Sequence, residues 1–356
     1  MTSTTSQQTL GYEQRRVTSN RMLKCVVGLA ACLFLALNLL RPTFKSNNNI
    51  VPAIQQQQQH VTASPSNRML AANTKKGKEY KSFKYRAVVV TTTYYPDLSD
   101  IRFDMALELC RLAAHHEIHL FIVDGSPDHG TVQYNFQKEG KGYVHAIEQK
   151  PEKFSGKGGA LRQAIMEATL WIKHNNNANH GGASGQWKDA AIVFTEPEKV
   201  DMMNHIHQIV APLLEGKADV VVPTRQDELF RDTYPIEQYH SESFGNKHFD
   251  ILSKQFEGFR SDTGEDTALD WLFGPFAFRA EFSRKWMNYG GESWDAQMIP
   301  YVRGVRRRNW RIASVVVDFK HQEVMKGQEE GGKAWTEKRL LQLNLLFDLL
   351  GKELSP

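Results

Sequence analysis

The chain has 356 residues, with 44 Lys and Arg against 40 Asp and Glu, a length that suits one large domain or two small ones. Its positive charge is confined to one end: residues 1–85 hold twelve basic and two acidic residues, which leaves 32 and 38 for 86–356. An acidic body argues against nucleic acid as a partner, since a nucleic-acid-binding domain gathers basic residues on one face. Cys110 is its only cysteine, so no disulfide can form within it and a large core must carry its stability.

Residues 1–24 predict a cytosolic tail and 25–40 (CVVGLAACLFLALNLL) a short transmembrane signal-anchor. Arg15, Arg16, Arg21 and Lys24 precede the apolar run, while only Arg41 and Lys45 follow closely. That excess predicts a single-pass type II membrane protein whose body faces the lumen of the endoplasmic reticulum or Golgi. The same run would serve as a cleaved signal peptide, although no small-x-small pattern follows it. Residues 41–85, with SNNN, QQQQQ, SPSN and KKGK, hold too few large apolar residues to offset their ordering entropy and predict a disordered stem.

From residue 86 onward, apolar runs alternate with helical patterns. Strands are predicted at 87–92 (AVVVTT), 118–123, weakly at 143–147, and at 190–195, 218–223 and 312–317. Helices are predicted at 101–114, 158–173, 203–214 and 235–256, with a basic helix at 299–308. A closing amphipathic helix spans 337–350, with Gly351 as its stop. The stretch 174–186 (HNNNANHGGASGQ) predicts a surface loop, and 271–278 is a dense apolar block. The rhythm predicts an α/β domain over 86–356, a Rossmann-like mixed and mostly parallel sheet with helices on both faces. Ligands of such sheets sit beyond the carboxyl ends of the strands.

Several polar residues fall at those ends. Asp124, in VDGSPD, can accept hydrogen bonds from a base or ribose; an ordinary Asp-Gly turn uses the same residues. Gly156-Lys157-Gly158-Gly159 opens a helix, where small residues admit a ligand and the helix N-terminus attracts phosphate. The Walker spacing is absent. Glu196 and Glu198 flank Pro197, and in an extended segment alternate side chains point the same way. Two such carboxylates can share a hard cation such as Mg2+ or Mn2+; with Lys199 they would equally make a solvated turn. His321 gains meaning only if that cation is near. Arg225, after a strand end, can assist a diphosphate or stand as a surface base.

Taken in order, AVVVTTTYYP, FIVDGSPD, FSGKGGALRQAI, FTEPEK, WLFGPFAFRAEF and the segment from GGESWD to DFKHQ resemble glycosyltransferases of the GT-A fold. The resemblance is to family 2-like enzymes, particularly the mannosylglycerate synthase and glucosyl-phosphoglycerate synthase groups, over about 86–323. It implies a nucleotide-sugar donor and a carbohydrate or small-molecule acceptor. Thr92, Tyr94, Asp124, Lys157, Gly158, Arg225 and Gly274 would bind the nucleotide sugar. Glu196, Glu198 and His321 would hold Mn2+ or Mg2+. Asp295 would be the base of an inverting enzyme, or orient substrate in a retaining one; as a plain helix N-cap it would do neither. The chain departs from the pattern with Glu in place of Asp at the metal positions, one methylene longer, and with Arg162 where many relatives carry a smaller polar residue. Two other readings share this sheet. A sugar nucleotidyltransferase would want a Gly-rich loop directly after the first strand, where TTTYYP offers none. The other is a non-catalytic binding module.

Overall fold

The computed structural model describes residues 86–179, 186–259 and 268–355. The apolar runs form strands β1 (Ala87–Thr93), β2 (His119–Asp124), β3 (Val144–Glu148), β4 (Ala191–Phe194), β5 (Val220–Arg225), β6 (Phe276–Arg279) and β7 (Ile312–Val317). These make one sheet in the order β3-β2-β1-β4-β6-β5-β7. All are parallel except β6, which runs antiparallel between β4 and β5. The connecting helices are α1 (Ile101–His115), α2 (His129–Gly140), α3 (Gly156–Asn179), α4 (Met202–Leu214), α5 (Asp227–Thr233), α6 (Ile236–Ser253), α7 (Ser283–Met287), α8 (Asp295–Arg308), α9 (Glu323–Glu329) and α10 (Lys333–Glu353).

Helices cover both faces, and the period-2 alternation of β1 shows how. Val88 and Val90 pack with Leu161 and Ile165 of α3, Val302 of α8 and Leu350 of α10. Ala87 and Val89 pack with Leu109 of α1 and with Ile206 and Ile209 of α4. Strands buried on both faces have no polar side to show, which is why β1 and β4 read as unbroken apolar runs. Because β1, β2, β4, β5 and β7 are parallel, their carboxyl ends share one rim.

The structure corrects several boundaries. No element was predicted between the second and third strands, and α2 lies there; only Val132, Phe136 and Gly140 of this polar helix are buried. α3 continues through the polar residues to Asn179. The basic helix begins at Asp295 and contains Pro300. Of the apolar block 271–278, only the end belongs to β6. Gly351 is not a stop: α10 runs past it to Glu353, and Leu350 and Leu354 are both buried. The cytosolic tail, the apolar run 25–40 and the stem lie outside the described residues. Among the described residues no helix is long and apolar enough to cross a membrane.

Candidate active site

A cavity of about 610 Å³ opens at the rim formed by the strand ends, within the usual size of small-ligand sites. Thr92 and Tyr94 line it at the end of β1, Lys157 at the start of α3, Glu196 to Lys199 after β4, Gly274 before β6 and His321 after β7. Trp335, Lys338, Arg339 and Gln342 of α10 also line it. The sequence-predicted residues Thr92, Tyr94, Lys157, Gly274, Glu196, Glu198 and His321 therefore share one cavity wall.

Within that set, Glu196 is held between two lysines. Lys157 Nζ lies 2.8 Å from Glu196 Oε1, and Lys199 Nζ bonds Oε2. Burial opposes a charged carboxylate here, and the two ammonium groups outweigh it, holding Glu196 ionised well below the usual carboxylate range. Both oxygens are thereby committed to lysines. Gly274 explains itself at the same spot: its φ is +100°, and a Cβ there would lie 3.0 Å from Glu196 Oε2.

Glu198 differs. Its carboxylate lines the cavity and makes no hydrogen bond or ion pair among the described residues. Across the same wall, the His321 backbone N–H donates to Thr233 Oγ1 at 3.1 Å, and its ring stacks on Tyr234 with centroids 4.3 Å apart. His321 Nε2 stands 3.5 Å from Glu329 Oε2, too far for a good hydrogen bond, and is left without a hydrogen-bond partner. A buried ring nitrogen with no partner requires an explanation. Together with an uncommitted carboxylate it fits a hard divalent cation, which commonly takes few protein ligands and completes its shell with phosphate and water. No cluster of three His, Cys, Asp or Glu that could hold a metal exists among the described residues.

Four other expected residues are not direct ligands here. Asp124 is fully buried and off the cavity wall, accepting from Thr93 Oγ1 at 2.8 Å and Ser126 Oγ at 2.7 Å. Ser126 Oγ in turn accepts the Tyr95 N–H at 2.9 Å. The carboxylate thus ties the end of β1 to the turn after β2 and shapes the wall from behind. Burial raises its pKa against these hydrogen bonds, and Oδ2 has no partner. Gly158 also sits behind the wall. Its N–H donates to Glu292 O at 2.9 Å, and a Cβ would lie 2.2 Å from Gly291 O, so glycine is required for backbone packing.

Arg225 borders the cavity, but its side chain is only 1 % exposed. Its guanidinium forks onto Asp270 at 2.7 and 2.8 Å and reaches Glu242 Oε2 at 2.8 Å. It also lies over Phe230, 3.5 Å from the ring centroid. Asn246 donates to Asp270 at 2.6 Å and accepts the Leu272 N–H. Arg225 is the hub of a buried ion network rather than an open phosphate ligand, and Asn246 belongs to the same network.

Asp295 is the fourth of these residues. At the first turn of α8 its carboxylate accepts from Tyr289 Oη at 2.8 Å and from the Ser293 N–H at 3.1 Å, and it does not line the cavity. It fixes the 289–293 loop to the helix N-terminus, where a negative charge is favoured. Asp295→Asn should therefore keep turnover within about ten-fold, whereas loss of a general base costs on the order of 10²–10⁴-fold. A drop of a hundred-fold or more in steady-state rate would restore Asp295 to the chemistry.

Sequence reasoning missed the whole contribution of α10 to the cavity. The signal available for α10 was the spacing of Trp335, Lys338, Arg339 and Gln342 on one helical stripe.

No family model matches the chain, and no curated protein matches it. Solved structures do. Glucosyl-3-phosphoglycerate synthase from Mycobacterium tuberculosis with Mn2+, uridine diphosphate and glucosyl-3-phosphoglycerate is 13% identical over 75% of this chain and 83% of that chain, with a TM-score of 0.45. The same enzyme with Mn2+, uridine-diphosphate-glucose and phosphoglyceric acid is 13% identical over 77% and 83%, with a TM-score of 0.45. A further structure of that synthase is 14% identical over 69% and 76%, with a TM-score of 0.43. The chain is similar to these structures at low sequence identity.

Proposed function

We propose that the domain is a glycosyltransferase that moves a sugar from a nucleotide-diphosphate donor to a hydroxyl of a carbohydrate or small-molecule acceptor, assisted by Mn2+ or Mg2+. The observation that carries this reading is that a Glu198 carboxylate without a hydrogen bond or ion pair and a His321 Nε2 without a hydrogen bond line the same cavity as Lys157 and Lys199. A bound cation would supply Lewis-acid stabilisation of the departing diphosphate. Glu196 keeps Lys157 and Lys199 charged and aimed at one place, so that their field is set before the donor arrives. Thr92, Tyr94, Gly125 and Gln149 flank the half of the cavity over β1 and β2, which suits the nucleoside. Gln238, whose Oε1 has no hydrogen-bond partner, is a polar cavity group available to orient an acceptor.

The test is turnover. The full chain, incubated with a panel of UDP- and GDP-sugars and candidate acceptors, should release UDP or GDP in step with glycosylated product. Release of pyrophosphate from a nucleoside triphosphate and a sugar phosphate, or no nucleotide bound and no turnover at all, would contradict it. The same reading keeps the domain on a membrane through residues 25–40, carried by the apolar run and the four basic residues before it. Release of the intact chain by alkaline carbonate would overturn that part.

A further inference from the structure

The two halves of α10 do different work. Leu346 and Leu350 are buried in the core, and Phe347 packs on Phe249 with ring centroids 5.0 Å apart. Nearer its N-terminus, Trp335, Lys338, Arg339 and Gln342 project to the cavity instead. Arg339 Nη2 stands 3.3 Å from Glu329 Oε2, the same oxygen that faces His321 Nε2. The helix is thus fastened beside the residues assigned to the cation.

Lys338 is the exception among the cavity's cations. Lys157 and Lys199 are held by Glu196, Arg102 by Asp100, Arg225 by Asp270 and Glu242, and Arg339 by Glu329. Lys338 has no carboxylate in salt-bridge range among the described residues; its Nζ lies over the Trp335 ring, 4.3 Å from the centroid. Lys338 lines the same cavity as Glu198, Lys157 and Lys199. An ammonium with no carboxylate in salt-bridge range, in the same cavity as two lysines that share one carboxylate, is suited to the negative charge that grows on a departing diphosphate.

Resting on the glycosyltransferase reading, we infer that Lys338 is a donor-binding residue contributed by the C-terminal helix, and that it contacts the β-phosphate. The inference separates nucleotides by their phosphates. With Mn2+ present, Lys338→Gln should weaken UDP or GDP binding about 10- to 100-fold, the range for a lost charge-assisted hydrogen bond. UMP or GMP affinity should change less than about two-fold, and Lys338→Arg should keep most of the diphosphate affinity. Thermal unfolding of both variants should match wild type, since Lys338 is exposed along the helix. Equal weakening of mono- and diphosphates, or unchanged diphosphate affinity with a raised acceptor KM, would overturn the inference while leaving the function standing. A wild-type chain that binds neither UDP nor GDP would overturn both.

Discussion

Arg225→Met should cost the fold about 3–5 kcal/mol in chemical denaturation, the range for breaking a buried ion pair by removing one partner. The side chains of Arg225, Asp270 and Glu242 are 1 %, 5 % and 11 % exposed. Without the guanidinium, two carboxylates face each other in a poorly hydrated place, and Phe230, Tyr234 and Phe273 lose the cation stacked over them. The deficit should grow as pH rises above about 4.3, the unperturbed glutamate pKa. Glu242 already has a raised pKa in the folded protein, so in that state it favours the proton and loses stability as the proton leaves. Adding Glu242→Gln and Asp270→Asn should recover a large part of the loss. A cost below about 1 kcal/mol would mean that water reaches the network and that Arg225 is the surface base the sequence left open.

Glu198→Ala should behave in the opposite way. With no hydrogen bond or ion pair among the described residues to lose, stability should change by less than about 0.5 kcal/mol. Transfer should fall by about 10²- to 10³-fold, as when one group stabilising a developing charge is removed. His321→Ala should show the same loss of transfer with a larger stability cost, because its ring also packs on Tyr234. Equal rates in wild type and Glu198→Ala would remove the cation from the mechanism.

How far the sequence could be read depended on what kind of signal each residue carries. The strand ends were visible because β1, β2, β4 and β5 are buried on both faces, so their apolar runs stop where the chain reaches the rim. That located Thr92, Tyr94, Lys157, Glu198, Gly274 and His321 on one wall. It could not show which cation meets which acid. Lys157 is 39 residues from Glu196 along the chain, and Asp270 is 45 from Arg225. Those pairings turned one expected metal ligand into a lysine clamp and one expected phosphate ligand into a buried hub. Asp295 carried an acid's sequence position, but Tyr289 and the Ser293 N–H occupy it. The polar stripe of α10 looked like any solvated helix face, and α2 showed too few apolar residues to announce a helix.

The account stands on Glu198 and His321 acting together on a cation at the nucleotide's phosphates. Calorimetric titration of UDP and GDP into the full chain, with Mn2+ and then with a chelator, tests this most directly. One nucleotide should bind about 10- to 100-fold more tightly with metal, the usual penalty for disturbing a metal's surroundings, and Glu198→Ala should bind it equally with and without. Metal-indifferent binding by wild type, or a metal effect that survives in Glu198→Ala, would contradict the account.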